Sequence, residues 1–195
     1  MAEIKLNPLF AGISGKMGNI VIKKSKNGKT FIASLPKKSK AKPSEAQLAQ
    51  RKAFAQASDY AKSALVDESV RAFYDALAAT RKTTARVVCM GDYMNEPTMY
   101  DLDFSRYHGQ VGDRIRITTH DDVGVVEVNV KLTKIDGALI EYGKAVEQYA
   151  GSGHWEYVAT VPVPLGTDIL ISAEAFDRPR NRAVASANPI VGESH

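Results

Sequence analysis

Few side chains in this sequence have the types and spacing that catalysis requires. The segment Gly12-Ile13-Ser14-Gly15-Lys16 has the glycines and lysine of a phosphate-binding loop, but its spacing is short and Met17 stands where Ser or Thr belongs. No serine lies in a Gly-x-Ser-x-Gly motif. The single cysteine, Cys89, falls on an apolar helical face with Ala85 and Val88, which is typical of a buried, unreactive thiol. The sequence therefore predicts a non-enzymatic protein without catalytic residues or a cofactor.

Metal ligands are equally sparse. The four histidines of the chain are His108, His120, His154 and His195. No two of them have the i, i+4 or His-x-His spacing of a metal site. His120 precedes the acidic turn of Asp121 and Asp122. Asp101 and Asp103 are candidates to join this turn at one end of a β-sandwich and hold Ca²⁺. Because these aspartates lack the alternating pattern of a calcium loop, we predict a solvated turn and no metal site, with calcium binding left as the alternative.

Positive charge is concentrated at the N-terminal end of the chain. Residues 1–43 contain ten lysines and one acidic residue, a net charge of +9, whereas residues 44–99 are balanced and residues 100–195 carry −5. Such an asymmetry bears on partners and not on fold. It fits either a basic arm for a polyanion such as nucleic acid, or a basic end that binds the acidic end of another copy.

The basic arm contains no arginine. Proteins that read nucleic acids rely on arginine for bidentate contacts and on aromatic side chains for stacking, and residues 1–43 contain only two aromatics, Phe10 and Phe31. The composition therefore favours self-association, with nucleic-acid binding as the alternative. The lysines assigned to the arm are Lys16, Lys23, Lys24, Lys26, Lys29, Lys37, Lys38, Lys40 and Lys42.

Residues 1–43 are predicted to form a β-hairpin followed by a connector. Two β-favouring runs, 18–24 and 29–35, flank a turn at Asn27-Gly28, whose residue types suit the positive φ angles of a type I′ turn. Pro36 ends the second strand, and the lysine-rich stretch after it is typical of an extended connector. Two strands alone are marginally stable, so the chain's helices or another copy must cover them. The residues assigned to assembly are Gly18, Ile20, Ile22, Asn27, Gly28, Phe31, Ala33 and Leu35.

Residues 44–97 are predicted to form a helical segment. Ser44 begins a capping box for a first helix that extends to about residue 65, and Asp67 is placed to cap a second helix. A short third helix over 84–94 ends before Pro97. The many alanines of this segment bury little area each, so we expect the helices to depend on a neighbouring layer for stability.

Residues 98–195 change to a hydrophobic period of two. Strands are predicted at seven places, separated by turns rich in Gly, Asp and Pro: 99–104, 114–118, 123–132, 139–142, 155–161, 169–176 and 183–187. This spacing is typical of an antiparallel sandwich of the immunoglobulin type. The predicted fold class is α+β, with an N-terminal β-hairpin and a short helical segment followed by an antiparallel immunoglobulin-like β-sandwich.

Three motifs of the C-terminal half are shared with a known domain family. They are the acidic turn and Val-rich strand of residues 121–128, Trp155 in a mid-domain strand, and the corner from Asp177 to Asn181, where Arg180 stands in place of the usual glycine. Together they resemble bacterial immunoglobulin-like domains of the fibronectin type III kind. The resemblance implies a fold and not a function, because such domains serve adhesion, display and spacing.

Two motifs of the N-terminal half carry a second resemblance. Residues 14–19 read Ser-Gly-Lys-Met-Gly-Asn, and residues 43–54 read Pro-Ser-Glu-Ala-Gln-Leu-Ala-Gln-Arg-Lys-Ala-Phe. They are similar to a family of small bacterial proteins in which a Gly-Ser-Gly-Lys-x-Gly-Asn hairpin leads into a Pro-Ser/Thr-x-Ala-Gln-x-x-Gln-Arg-x-x-Phe helix. This resemblance implies an architecture and no enzymatic role.

Self-assembly is the function that the sequence favours. A basic hairpin that adds to the sheet edge of an acidic sandwich on a neighbouring copy would satisfy both charge and main-chain hydrogen bonding. Contacts between unlike surfaces of identical chains propagate into a filament unless they close into a ring. We therefore expect a bacterial structural protein that assembles head to tail and displays an immunoglobulin-like domain. A nucleic-acid-binding or virion-associated interaction module is the alternative.

The sequence also bears on location. Its N-terminus lacks the apolar stretch of a signal peptide, and no run approaches the roughly eighteen apolar residues that a membrane span needs. We expect synthesis in the cytoplasm, with an extracellular final location left open through dedicated export or lysis.

Overall fold

The computed structural model of the chain describes residues 2–4, 14–24, 30–35 and 42–192. The chain divides into a first unit of residues 1–45 and a second unit of residues 46–195. The first contains a four-stranded antiparallel sheet, and the second contains three helices and two further four-stranded sheets. The predicted α+β fold with an antiparallel sandwich is confirmed.

The sheet of the first unit consists of β1 (Ala2–Ile4), β2 (Gly15–Met17), β3 (Ile20–Lys24) and β4 (Thr30–Ser34), in the order β1-β4-β3-β2. β3 and β4 form the predicted hairpin, with Ile22 opposite Ile32, and its Asn27-Gly28 turn lies outside the described residues. β2 and β3 form a second hairpin across Gly18-Asn19, where Gly18 has a left-handed φ of 58°. The chain thus supplies a flanking strand on each side of the hairpin, which the sequence alone did not indicate.

The helices of the second unit are α1 (Glu45–Ala64), α2 (Glu68–Thr80) and α3 (Ala85–Met94). Asp67 caps α2 as predicted, because its carboxylate accepts the backbone N–H groups of Ser69 and Val70 at 2.8 and 3.2 Å. The helices share a small core around Tyr74 and Cys89, which are fully buried. Among the described residues, no helix combines the length and apolar character needed to span a membrane.

The β-sandwich consists of two antiparallel sheets. The strands are β5 (Thr98–Arg106), β6 (Arg114–His120), β7 (Val125–Lys134), β8 (Leu139–Lys144), β9 (Val146–Glu147), β10 (His154–Val158), β11 (Ile169–Asp177) and β12 (Arg182–Ala187). One sheet has the order β5-β6-β10-β9 and the other β12-β11-β7-β8. This is the strand order of a constant-type immunoglobulin sandwich with one additional strand, β8, beside β7. Alternate residues of β6, β7 and β11 fill the core between the sheets: Ile115, Ile117, Val128, Val130, Leu132, Ile169 and Ile171.

The corner between β11 and β12 connects the sandwich to the helices. Asp177 Oδ1 accepts the backbone N–H of Asn181 at 2.6 Å, and the side-chain amide of Asn181 donates to Asp177 Oδ2 at 2.7 Å. The same amide nitrogen lies 3.1–3.2 Å from three carbonyl oxygens at the end of α3, those of Asp92, Tyr93 and Asn95. One side chain therefore closes the corner and holds α3 against it.

Arg180 occupies the corner position at which glycine was expected. Its φ is 73°, in the left-handed region that favours glycine. Its guanidinium donates to Glu127 Oε2 at 3.1 Å. The corner therefore forms with an arginine in a glycine conformation.

Candidate assembly surfaces

The apolar residues assigned to assembly lie on both faces of the first unit's sheet. Cross-strand partners share a face, so Ile20 and Ile22 lie on one face with Ile32. Phe31 and Ala33 lie on the opposite face with Val21. Ile22 is buried, whereas the other apolar residues of β3 and β4 are half-buried and Met17 of β2 is exposed. The predicted set is thus divided between the two faces of the sheet, which follows from the alternation of side chains along a strand.

The remaining assembly residues lie at the ends of the strands. Gly18 is in the β2–β3 turn, and the backbone N–H of Leu35 donates to the carbonyl of Asn19 at 2.8 Å, which continues the pairing beyond β4. Asn27 and Gly28 lie outside the described residues.

Two of the described lysines lie on the same face as Phe31. Lys16 pairs with Val21 and Lys23 pairs with Phe31, and both lysines are exposed. Lys16 lies in β2 and is followed by a turn and β3, whereas the lysine of a phosphate-binding loop is followed by a helix. Lys24 ends β3 and Lys42 is exposed before α1, while the other predicted lysines lie outside the described residues: Lys26, Lys29, Lys37, Lys38 and Lys40.

Short strands form both edges of this sheet. β1 pairs only with residues 30–32 of β4, and β2 pairs only with residues 20–22 of β3. Within the described strands, the last two residues of β3 and of β4 therefore extend past their flanking strands. Such edges present main-chain groups to which another strand can add.

The sandwich has an open edge of its own at β9, which is two residues long. It borders a groove of ≈ 360 Å³ whose walls include Val146, Tyr149 and Val158, exposed by 71%, 75% and 45%. Two glutamates, Glu147 and Glu156, also line the groove. Because a short edge strand by itself protects a sheet edge, the exposed apolar side chains of the groove are the feature that makes this edge a candidate binding surface.

The acidic residues around His120, which were the alternative calcium site, do not come together. Asp101 and Asp103 lie along β5 and line a groove with His154, whereas Asp122 forms an ion pair with Arg81 at 3.3 Å. The ring of His120 lies 6.1 Å from that of Tyr100. Asp121 turns away from this group, and one of its oxygens lies within 4.8 Å of carboxylate oxygens of Asp92 and Asp177.

This second acidic group, which we call the junction cluster, comprises Asp92, Asp121 and Asp177. The hydroxyl of Tyr74 donates to Asp92 Oδ2. Burial raises the pKa of Asp92 to about 7, and the nearby carboxylates of Asp177 and Asp121 act in the same direction. Burial likewise raises the pKa of Asp177. An acidic residue on the apolar face of α3, beside Cys89, was the sequence signal for this cluster.

Cys89 lies in the helical core as predicted. It is fully buried, and burial raises the pKa of its thiol. Both features disfavour the thiolate that nucleophilic catalysis needs.

Comparison with known proteins gives distant structural likenesses. No protein-family model matches the chain, and no curated protein matches it. The crystal structure of CopC from Methylosinus trichosporium OB3b shares 11% identity over 48% of this chain and 90% of that chain, with a TM-score of 0.37. The solution structure of a lipoprotein from Bacteroides thetaiotaomicron shares 11% identity over 51% of this chain and 81% of that chain, with a TM-score of 0.27. Likenesses at this level carry no argument about function.

Proposed function

We propose that this chain is a non-enzymatic structural protein that assembles head to tail, with the first unit of one copy binding the sandwich of the next. The observation that supports this most is the sheet of the first unit. It has apolar side chains on both faces and edges made of three-residue strands. A unit of about 45 residues buries little core of its own, so it gains stability from an external packing surface.

Charge supports the choice of another copy as the partner. Residues 1–43 carry +9 and residues 100–195 carry −5, so the first unit of one chain attracts the sandwich of another. The contact joins unlike surfaces, and it therefore adds copies indefinitely unless the geometry closes a ring. The acceptor that we assign is the β9 edge, where Val146 and Tyr149 are exposed.

The first test compares the full chain with a variant that lacks residues 1–43. We expect the full chain to form fibres or rings in negative-stain electron microscopy and to elute as large species in light-scattering chromatography at low salt. The truncated chain should remain a folded monomer, because the deletion ends before α1. A full chain that stays monomeric at high concentration and low salt would rule the proposal out.

Charge-reversal variants make this test specific. Lys23→Glu changes an exposed lysine opposite Phe31 on one sheet face, whereas Lys42→Glu changes an exposed lysine before α1, and the two substitutions alter the net charge by the same amount. We expect Lys23→Glu to weaken assembly and Lys42→Glu to leave it nearly unchanged. Equal effects of the two would show that net charge, and not the sheet face, drives association.

Nucleic-acid binding is the second candidate, because Lys16 and Lys23 share their face with the aromatic ring of Phe31. It predicts that fluorescent single-stranded DNA binds at low salt and dissociates steeply as salt rises. Absence of binding at low salt would remove this candidate and leave the assembly proposal untouched.

A further inference from the structure

Three carboxylates from three different elements meet where the helices join the sandwich. Asp92 belongs to α3, Asp121 to the turn after β6 and Asp177 to the end of β11, and one oxygen of each lies within 4.8 Å of the others. Asp92 and Asp177 are completely buried. Like charges held this close in a buried place are unfavourable unless another group neutralises them.

Two oxygens of the junction cluster have no donor. Asp92 Oδ2 accepts from the Tyr74 hydroxyl, but Oδ1 is buried and has no hydrogen-bond partner among the described residues. Asp121 Oδ1 accepts the N–H groups of Val123 and Gly124 at 2.8 and 2.6 Å, but Oδ2 is also buried without a partner there. Buried carboxylate oxygens without partners are rare in folded proteins, so these two atoms indicate a ligand.

The basic side chains nearby are directed elsewhere. Arg81 pairs with Asp122, and the guanidinium of Arg178 lies over the ring of Phe73 at 4.2 Å. The ion pairs between described residues include none of the three carboxylates of the junction cluster. Within the described part of the chain, no lysine or arginine neutralises the cluster.

We propose that Asp92, Asp121 and Asp177 bind a divalent cation, with Ca²⁺ preferred to Mg²⁺. Three carboxylate oxygens within 4.8 Å of one another are close enough to share one cation. Ca²⁺ accepts six to eight oxygen ligands in a flexible geometry, which suits ligands that three different elements hold in place, whereas Mg²⁺ requires a near-ideal octahedron. The donors are all oxygen, which suits a hard cation and excludes a thiolate-type site.

The cluster also has a route to solvent and room for further ligands. Asp121 is half-buried and lines a cleft of ≈ 250 Å³ together with Phe73, His120 and Arg178. Ca²⁺ takes six to eight oxygen ligands, so a bound ion would also need waters, and the cleft beside Asp121 is where they would enter. A bound ion fixes α3 to two parts of the sandwich, so it stabilises the second unit.

The test begins with the full-length protein after treatment with a chelator. Isothermal titration with CaCl₂ at neutral pH should show one ion per chain, and Ca²⁺ should raise the Tm. At a calcium concentration about 100-fold above Kd we expect a rise of roughly 5–10 °C, with a smaller rise for Mg²⁺ at the same concentration. No heat of binding and no rise in Tm up to about 10 mM Ca²⁺ would overturn the proposal.

Three variants assign the effect to the cluster. Asp92→Asn and Asp121→Asn keep the shape of each side chain and the oxygen that already accepts hydrogen bonds, and each should abolish the calcium-dependent rise in Tm while the protein remains folded. Asp101→Asn, at an exposed carboxylate of β5, should retain the full rise. If Asp92→Asn keeps the rise in Tm, calcium binds outside the cluster and the proposal is wrong. If the wild type shows no calcium-dependent rise and is less stable than Asp92→Asn, the three carboxylates share a proton and bind no ion. Assembly of the first unit involves none of these residues, so the two proposals fail separately.

Discussion

Arg180 is held in a backbone conformation that glycine adopts more easily. Its φ of 73° brings Cβ close to the neighbouring carbonyl, a contact that glycine lacks. The arginine in turn donates to Glu127 at 3.1 Å and lies 5.5 Å over the ring of Phe176. The side chain therefore adds surface contacts at a position where the backbone disfavours it.

Two substitutions separate these effects. Arg180→Gly and Arg180→Ala lose the same ion pair, but only glycine relieves the backbone. We expect the Arg180→Gly variant to be more stable than the Arg180→Ala variant, with a free energy of unfolding about 1 kcal/mol higher in urea denaturation. Arg182, in β12, is the control, because there alanine should be the more stable of the two replacements. The same order at both positions would contradict the backbone explanation.

At the scale of elements, the joint between α3 and the sandwich depends on one amide. The side-chain nitrogen of Asn181 lies within 3.2 Å of three carbonyl oxygens at and just after the end of α3 and of a carboxylate oxygen of Asp177. An amide has two N–H bonds, so it shares them among these acceptors.

We expect Asn181→Ala to lower the free energy of unfolding by about 2 kcal/mol, because it leaves partly buried oxygens without a donor. Asn188 is exposed, and Asn188→Ala should change stability by less than about 0.5 kcal/mol. Hydrogen exchange would show whether α3 loses protection before the sandwich does. Equal effects of the two substitutions would mean that this amide does not secure the joint.

Local patterns predicted most of these elements, and long-range contacts explain what they missed. The cap at Asp67 and the alternating strands are each determined by residues close together in sequence, and the structure confirms them. Residues 18–24 were predicted as one strand, whereas the chain turns at Gly18-Asn19, a dipeptide that suits a hairpin turn. The turn gave no clear sequence signal because β2, the strand before it, is only three residues long. The junction cluster joins positions separated by up to 85 residues (92 to 177), and no spacing rule connects them.

At the scale of the whole molecule, the junction cluster makes stability depend on pH when no metal is present. Asp92 has a pKa of about 7 in the folded protein and an ordinary value near 4 when unfolded, so the folded state holds an extra proton between these values. Stability from this group is complete below about pH 4 and is lost as pH rises towards 7. The titratable groups that interact with Asp92 are Tyr60, Tyr74, Cys89, Asp121, Asp122 and Asp177.

In the presence of a chelator, the free energy of unfolding should therefore fall by up to about 4 kcal/mol between pH 4 and pH 7 on account of Asp92. Denaturation of the wild type and of Asp92→Asn at several pH values isolates this contribution as their difference. Asp101→Asn should follow the wild type. If the free energy of unfolding of the wild type minus that of Asp92→Asn stays constant or rises between pH 4 and pH 7, Asp92 is ionised throughout this range.

The single cysteine and the single tryptophan lie in different layers of the second unit. Cys89 is fully buried among the helices, and Trp155 lies in the sandwich core, with its indole N–H donating to Thr119 at 3.1 Å. A thiol reagent added to the native protein therefore reacts at the rate at which the helices open, while indole fluorescence reports the sandwich. A comparison of the rate of thiol labelling with the rate of fluorescence change shows whether the helices and the sandwich unfold together or one after the other.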